Sequence, residues 1–156
     1  MILVAGIGNE LLGDDGFGPE VVRRLAAERP VPSEWEARDF GTRELDLALA
    51  LSGTWRAALV VDSTQLGDPP GTLRLHLPDQ AAAWQPDGHA GLAHTLVLAQ
   101  AWRSTPLPVH VLTCEVSEVP EDPAPGLSPA VAAAVAPALA WIGRWLAATA
   151  LVHRDA

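Results

Sequence analysis

Apolar positions in this chain gather in short runs that alternate with stretches of helical period. Ile2–Ala5 is wholly apolar and stops at Gly6, the pattern of a strand buried on both faces. Pro19, tolerated at a first helical position, opens a helix through Glu20–Ala27. Trp35–Phe40 reads as a second strand and Glu44–Leu51 as a second helix. Ala57–Val61 is the clearest buried strand. In Thr72–Leu77 the residues Leu73, Leu75 and Leu77 alternate with Thr72, Arg74 and His76, which predicts a strand with one wet face, near a sheet edge.

Leu92–Arg103 is a third helix and Val109–Cys114 a further strand. The three prolines of Val119–Gly126 make that segment a loop. Ser128-Pro129 is an N-cap and first-position pair for a last helix, whose larger residues Val131, Val135, Leu139, Ile142 and Trp145/Leu146 recur every three to four positions. Pro137 is expected to kink or divide that helix. No repeat or linker interrupts the order, so residues 1–156 are read as one domain. Alternating β and α elements predict a three-layer α/β/α sandwich with a mostly parallel, twisted sheet of four or five strands. The first strand should lie between those ending near Phe40 and Asp62.

Charge removes several function classes. The net charge is −9, from 19 acids against 10 bases, and every base is arginine. Without a basic stripe, nucleic-acid binding is not expected. Cys114 is the only cysteine, which excludes a disulfide framework or a cysteine-rich zinc site and reads as intracellular. The N-terminus has no basic region before its short apolar run, so it is a strand rather than a signal peptide. The Ala-rich stretch from Ala130 to Val152 is long enough to span a bilayer, but its Arg144, Gly143, Pro137 and single apolar face predict a helix packed on a sheet. No membrane partner is expected.

The first strand–helix junction, Gly6-Ile7-Gly8-Asn9-Glu10-Leu11-Leu12-Gly13-Asp14-Asp15-Gly16-Phe17-Gly18-Pro19, carries the candidate chemistry. It is not a dinucleotide loop, because the third glycine of G-x-G-x-x-G would fall at Leu11. It is not a Walker loop either, because the chain has no lysine and paired aspartates repel phosphate. What it offers is carboxylates at a strand end, where open α/β sheets bind ligands. Ala57–Val61 also ends in a carboxylate, Asp62. Neighbouring strands lie roughly 5 Å apart, so Asp15 and Asp62 can converge. One imidazole would then complete a set of oxygen and nitrogen donors suited to nickel, zinc, manganese or iron. Of five histidines, His76 is expected to face solvent, His110 starts a strand and His153 lies in the tail. His89 and His94 flank the start of the third helix, and spacing leaves the choice between them open. Cys114, inside an apolar strand, is expected to be a buried thiol rather than a nucleophile.

The same junction resembles the opening motif of nickel–iron hydrogenase maturation proteases, G-x-G-N-x-L-x-x-D-[DE]-G-x-G, without a mismatch. Asn9, the sole asparagine, falls on the motif's asparagine. Val61-Asp62-Ser63 followed by Gly67-Asp68-Pro69-Pro70-Gly71-Thr72-Leu73 is similar to the family's Asp-Ala segment and P-G-T turn. His94-Thr95-Leu96-Val97-Leu98-Ala99 is similar to its H-x-L-x-L-A helix start, and Gly126-Leu127-Ser128-Pro129-Ala130-Val131 to the start of its last helix. Two segments depart. In Asp39-Phe40-Gly41-Thr42-Arg43-Glu44-Leu45, Glu44 replaces the second glycine of D-x-G-T-x-G-x-x-L. Around Cys114-Glu115-Val116-Ser117 the strand-end G-[IV]-[EQ]-P is not recognisable.

The resemblance implies a sheet flanked by helices on both faces and an endopeptidase that removes a C-terminal peptide from a hydrogenase large-subunit precursor. It places the metal and catalytic site on Asp15, Asp62 and His94, and the substrate cleft on Asp39, Gly41 and Thr42. The nickel would be supplied by the substrate, with an adventitious divalent cation in the isolated protein. The chain would be cytoplasmic and monomeric, with the large-subunit precursor as partner. Two alternatives are a metal-dependent hydrolase acting on another peptide and a chaperone-like binder that holds the nickel-loaded precursor without cutting it.

Overall fold

The computed structural model describes residues 1–28, 34–77 and 90–151. In order these form β1 (Ile2–Ile7), a 3-10 turn (Gly13–Gly16), α1 (Phe17–Ala27), β2 (Trp35–Gly41), α2 (Glu44–Leu51), β3 (Ala57–Thr64), β4 (Leu73–His76), α3 (Ala90–Ala101), β5 (Val109–Glu115) and α4 (Pro129–Leu151). The strand order is β2-β1-β3-β5-β4, parallel except for the antiparallel edge strand β4. This is the expected mostly parallel sheet, with β1 between β2 and β3. β1 and β3 read as unbroken apolar runs because helices cover both faces of the sheet.

Strand alternation sorts the side chains into two cores. Ile2, Val4, Leu59 and Val61 pack with Phe17, Val21 and Val22 of α1 and with Val131, Val135 and Ile142 of α4. Leu3, Ala5, Ala58 and Val60 pack on the other side with Leu47 and Leu51 of α2 and Leu92 and Leu96 of α3. Gly18 lets α1 settle onto the sheet, since a Cβ there would overlap the carbonyl oxygens of Ile7 and Val61.

Three expectations are corrected. α1 begins at Phe17, two residues before Pro19. A helix leaves its first N–H groups unbonded, so proline costs nothing at this third position. β3 runs on through Ser63 and Thr64, which pair with Cys114 and Glu115 of β5, so Asp62 lies within the strand rather than beyond it. Pro137 does not divide α4, which is one helix across it. Pro137 and Ala133 both lie on the solvent side, where the carbonyl deprived of its donor is open to water. By length and composition α4 is apolar enough to cross a membrane. Here it presents Val131, Ala134, Val135, Ala138, Ile142 and Leu146 to the sheet.

Two buried carboxylates tie the connecting loops to this frame. Asp14 accepts hydrogen bonds from the Ser128 amide at 2.6 Å and the Ser128 hydroxyl at 2.8 Å, joining the 3-10 turn to the start of α4. Glu115 accepts from the amides of Leu66 and Gly67 and so gathers the turn after β3. Hydrogen bonds to charged acceptors contribute about 1.5–3 kcal/mol each. Asp14→Ala loses two such bonds and should therefore lower unfolding free energy by about 3–6 kcal/mol, read from the urea midpoint. An unchanged midpoint would show that the Asp14–Ser128 contact contributes nothing to stability.

Candidate functional site

The crevice lies where the chain reverses its direction across the sheet. From β1 it crosses to β2 on one side, then returns to place β3 on the other, so loops diverge above the C-terminal ends of β1 and β3. Asp15 sits in the 3-10 turn after β1, and Asp62 stands near the end of β3.

The structure brings these two aspartates together. Ser63 links them: its hydroxyl donates to Asp15 Oδ1 at 2.8 Å and its amide donates to Asp62 Oδ1 at 2.7 Å. Asp15 Oδ2 accepts the Asn9 amide at 2.8 Å. Gly8, at φ +133°, lets the loop pass beneath Asp15, because a Cβ at position 8 would overlap the Asp15 carbonyl oxygen. Asn9 in turn folds its side-chain oxygen onto the Leu11 amide. The motif's glycine and asparagine thus shape the loop that presents Asp15.

Asp62 is the electrostatic outlier. It is 1% exposed, and its Oδ2 is buried with no hydrogen-bond partner. Burial holds its carboxyl well above the usual carboxylate range. The Ser63 amide opposes that rise, while the charges of Asp15 and Glu44 add to it. Loss of water, rather than repulsion between the neighbouring carboxylates, is the larger cause. Asp15 is also shielded, at 9% exposed.

His94 is placed differently. It is exposed on α3, in a hollow shared with Glu44, Leu45, Gly91, Thr95 and Leu98. Among the described residues no three His, Cys, Asp or Glu side chains lie close enough to hold a metal ion. The expectation that Asp15, Asp62 and His94 would be within reach of one ion is not met as the side chains stand. Topology supplies the reason. Ser63, the partner of Asp15, alternates with Val61 and belongs to the α1 side, whereas α3 covers the opposite face. His89 and His153 lie outside the described residues. His76 is half-buried against the Thr113 hydroxyl at 3.1 Å instead of facing solvent, and His110 meets Trp145 edge-on.

The predicted cleft residues line a depression of about 290 Å³ beside the aspartates. Asp39, Gly41 and Thr42 face Gly8, Asn9 and Arg43 across it. Asp39 Oδ1 accepts the Gly41 amide at 2.8 Å, so this carboxylate braces its own turn at the end of β2. A larger hollow of about 550 Å³ lies toward α1, but its arginines are paired with Glu10 and Glu20. Cys114 is buried, and burial pushes its thiol up to about 12, which removes it as a nucleophile. Sequence reasoning missed Ser63 as the link between the aspartates. Its position directly after Asp62 at a strand end was the available signal.

A mostly parallel sheet with two buried aspartates at its switch point defines the chain as a three-layer α/β protein. The comparisons narrow this class. Residues 19–145 match the family model HycI, hydrogenase maturation protease. The chain is 33% identical over 136 residues to the hydrogenase expression/formation protein HupD of Rhodobacter capsulatus, covering 84% of this chain and 64% of that one. It is 32% identical to a putative hydrogenase maturation protease of Methanocaldococcus jannaschii, covering 86% and 88%. Among solved structures it is similar to the hydrogenase maturating endopeptidase HYBD of E. coli, with TM-score 0.79 and 26% identity over 95% of this chain and 93% of that one. It is also similar to the hydrogenase 2 maturation peptidase of a Thaumarchaeota archaeon, with TM-score 0.70 and 32% identity over 94% and 97%. The chain belongs to the hydrogenase maturation protease family. It spans under two thirds of the length of the Rhodobacter relative.

The raised Asp62 has a defined effect on stability. The unfolded chain ionises this group first as pH rises. Its stability contribution is therefore full below the unfolded carboxylate range and is lost as pH climbs through the higher folded value. Asp62→Asn removes that loss, so the melting temperature of the variant relative to wild type should rise between pH 4 and pH 7. The expected widening is about 2–4 °C for each kcal/mol relieved. A difference that stays flat with pH would mean that Asp62 titrates as an ordinary aspartate.

Proposed function

We propose that this chain is a cytoplasmic, monomeric endopeptidase that removes a C-terminal peptide from a nickel-loaded hydrogenase large-subunit precursor. Asp15, Asp62 and His94 recognise the substrate's nickel, and Asp39, Gly41 and Thr42 line the cleft that receives the peptide. The observation that carries this reading is the unpartnered, buried Oδ2 of Asp62 beside Asp15 at the switch point. A buried acceptor without a donor costs roughly 1–3 kcal/mol, and a cation is the partner that would satisfy it. Two carboxylates and an imidazole suit nickel.

In the peptidase cycle the chain's own residues bind and orient. Ser63 fixes the two aspartates relative to each other, and the Asn9 amide holds the second Asp15 oxygen. His94, exposed on α3, turns toward the crevice when the precursor docks. The three side chains form an incomplete coordination sphere, which a nickel centre already held by the precursor completes. A precursor without metal makes no such contact, so recognition doubles as proofreading. Held by these residues, the substrate's nickel would supply Lewis-acid chemistry to the crevice. An isolated chain takes at most an adventitious divalent cation.

Purified protein should be nearly metal-free yet shorten a nickel-loaded precursor and leave the nickel-free form intact, as read by mass shift. Asp15→Asn, Asp62→Asn and His94→Ala should each reduce processing by more than the roughly 10–100-fold that loss of an outer-shell partner costs. Melting curves recorded alongside separate lost recognition from lost fold. Equal processing of both precursor forms would end the proofreading reading. A bound but uncut precursor would make the chain a chaperone-like binder, and a stoichiometric resident metal would make it an ordinary metal-dependent hydrolase.

A further inference from the structure

Glu44 opens α2, and its carboxylate lies against Gly91 in the first turn of α3. A Cβ at position 91 would overlap Glu44 Oε1, so only glycine lets the carboxylate come this close to the helix backbone. His94 follows Gly91 by three residues and therefore projects from the same side of α3. Glu44, Gly91 and His94 line one hollow of about 360 Å³. Asp62 belongs to this side too. Alternation along β3 sets it with Ala58 and Val60, which pack in the core beneath α2 and α3. Its Oδ2 is buried and unpartnered, and the charge of Glu44 reaches it. Among the described residues no hydrogen bond or ion pair holds the Glu44 carboxylate.

We propose that Glu44 is a further metal-recognising donor, a rim carboxylate that joins Asp62 and His94 on the α2–α3 side in taking a divalent transition-metal ion carried by the substrate. This rests on the reading of Asp62 and His94 given above. Asp15 comes from the α1 side with both oxygens engaged by Asn9 and Ser63. Glu44 supplies a second carboxylate, unengaged among the described residues, on the face where His94 already stands. The buried Asp62 is anchored through Oδ1 by the Ser63 amide, whereas Glu44 and His94 are both exposed. As the side chains stand the three do not meet around one ion, so closing the set requires Glu44 and His94 to move toward the fixed Asp62. The overall charge of −9 draws a cation to such a rim.

The test is calorimetric titration of nickel chloride into the metal-free wild-type chain and into Glu44→Gln, Asp62→Asn and His94→Ala, with a metal-free melting curve for each. Glu44→Gln should weaken nickel binding by about tenfold, equivalent to about 1.4 kcal/mol, with its metal-free melting temperature unchanged. Asp62→Asn should abolish binding. The titrations are repeated in about 0.5 M NaCl, where the screening length falls to roughly 4 Å. A directly bound donor keeps its tenfold effect there, whereas a remote charge loses it. Binding by Glu44→Gln equal to wild type, with Asp62→Asn inactive, overturns the role of Glu44 alone. So does an effect that vanishes in high salt. Binding by Asp62→Asn equal to wild type overturns the metal-recognising reading of the site and this inference with it, whereas none by wild type overturns this inference alone, because that reading has the precursor hold the nickel.

Discussion

One oxygen atom, Oδ2 of Asp62, sets the problem that the crevice is built around. It sits buried in the middle layer of the sandwich with no donor to meet it, on the strand face that also carries the apolar Ala58 and Val60. A fold tolerates such a group only if its surroundings hold it in place, because the group itself favours opening toward water. Here the restraint comes from the parallel pairing of β3 with both β1 and β5 and from the adjacent Ser63 amide. The cost of burying the carboxyl is thus met by backbone order, which leaves the free oxygen available for a ligand.

The two faces of the sheet then divide the labour. On the α1 side, glycines and Asn9 fold a loop that gives both Asp15 oxygens a donor. On the α2–α3 side, Glu44 and His94 are exposed, and among the described residues no donor meets the Glu44 carboxylate. Asp62 is common to both, since its neighbour Ser63 speaks to one face while its own side chain belongs to the other. A ligand entering the crevice meets an ordered wall and an adjustable one. The depression beside Asp39 continues from the ordered wall, where the Gly41 and Gly8 backbones are hydrogen-bonded to one another at 3.0 Å.

Much of this was legible in the sequence because it depends on local rules. Apolar runs ending in glycine or aspartate gave the central strands, and the strand-end carboxylates pointed to Asp15 and Asp62. The boundaries that shifted depended on partners far along the chain. Ser63 and Thr64 extend β3 only because Cys114 and Glu115 lie alongside, and Pro137 is accommodated only because its face of α4 is wet. Burial of Asp62 followed from the same extension. The separation of His94 from Asp15 reflects which face each connection takes, and periodicity within a segment carries no record of that. Glu44 was visible only as a residue standing where a glycine was expected. Its meaning came from Gly91, which is 47 positions away by numbering.

The contact between Asp14 and Ser128 has a consequence for the order in which the molecule assembles. It joins residues 114 positions apart, so the loop bearing Asp15 is fastened only after the chain has delivered the beginning of its last helix. During synthesis, chains grow from the N-terminus at about 5–20 residues per second. The aspartate loop therefore spends several seconds untethered while the central strands are already available to pair. A nascent chain in that interval lacks the clamp between Asp14 and the start of the final helix. Fastening of this loop to the last helix is thus among the final events of assembly.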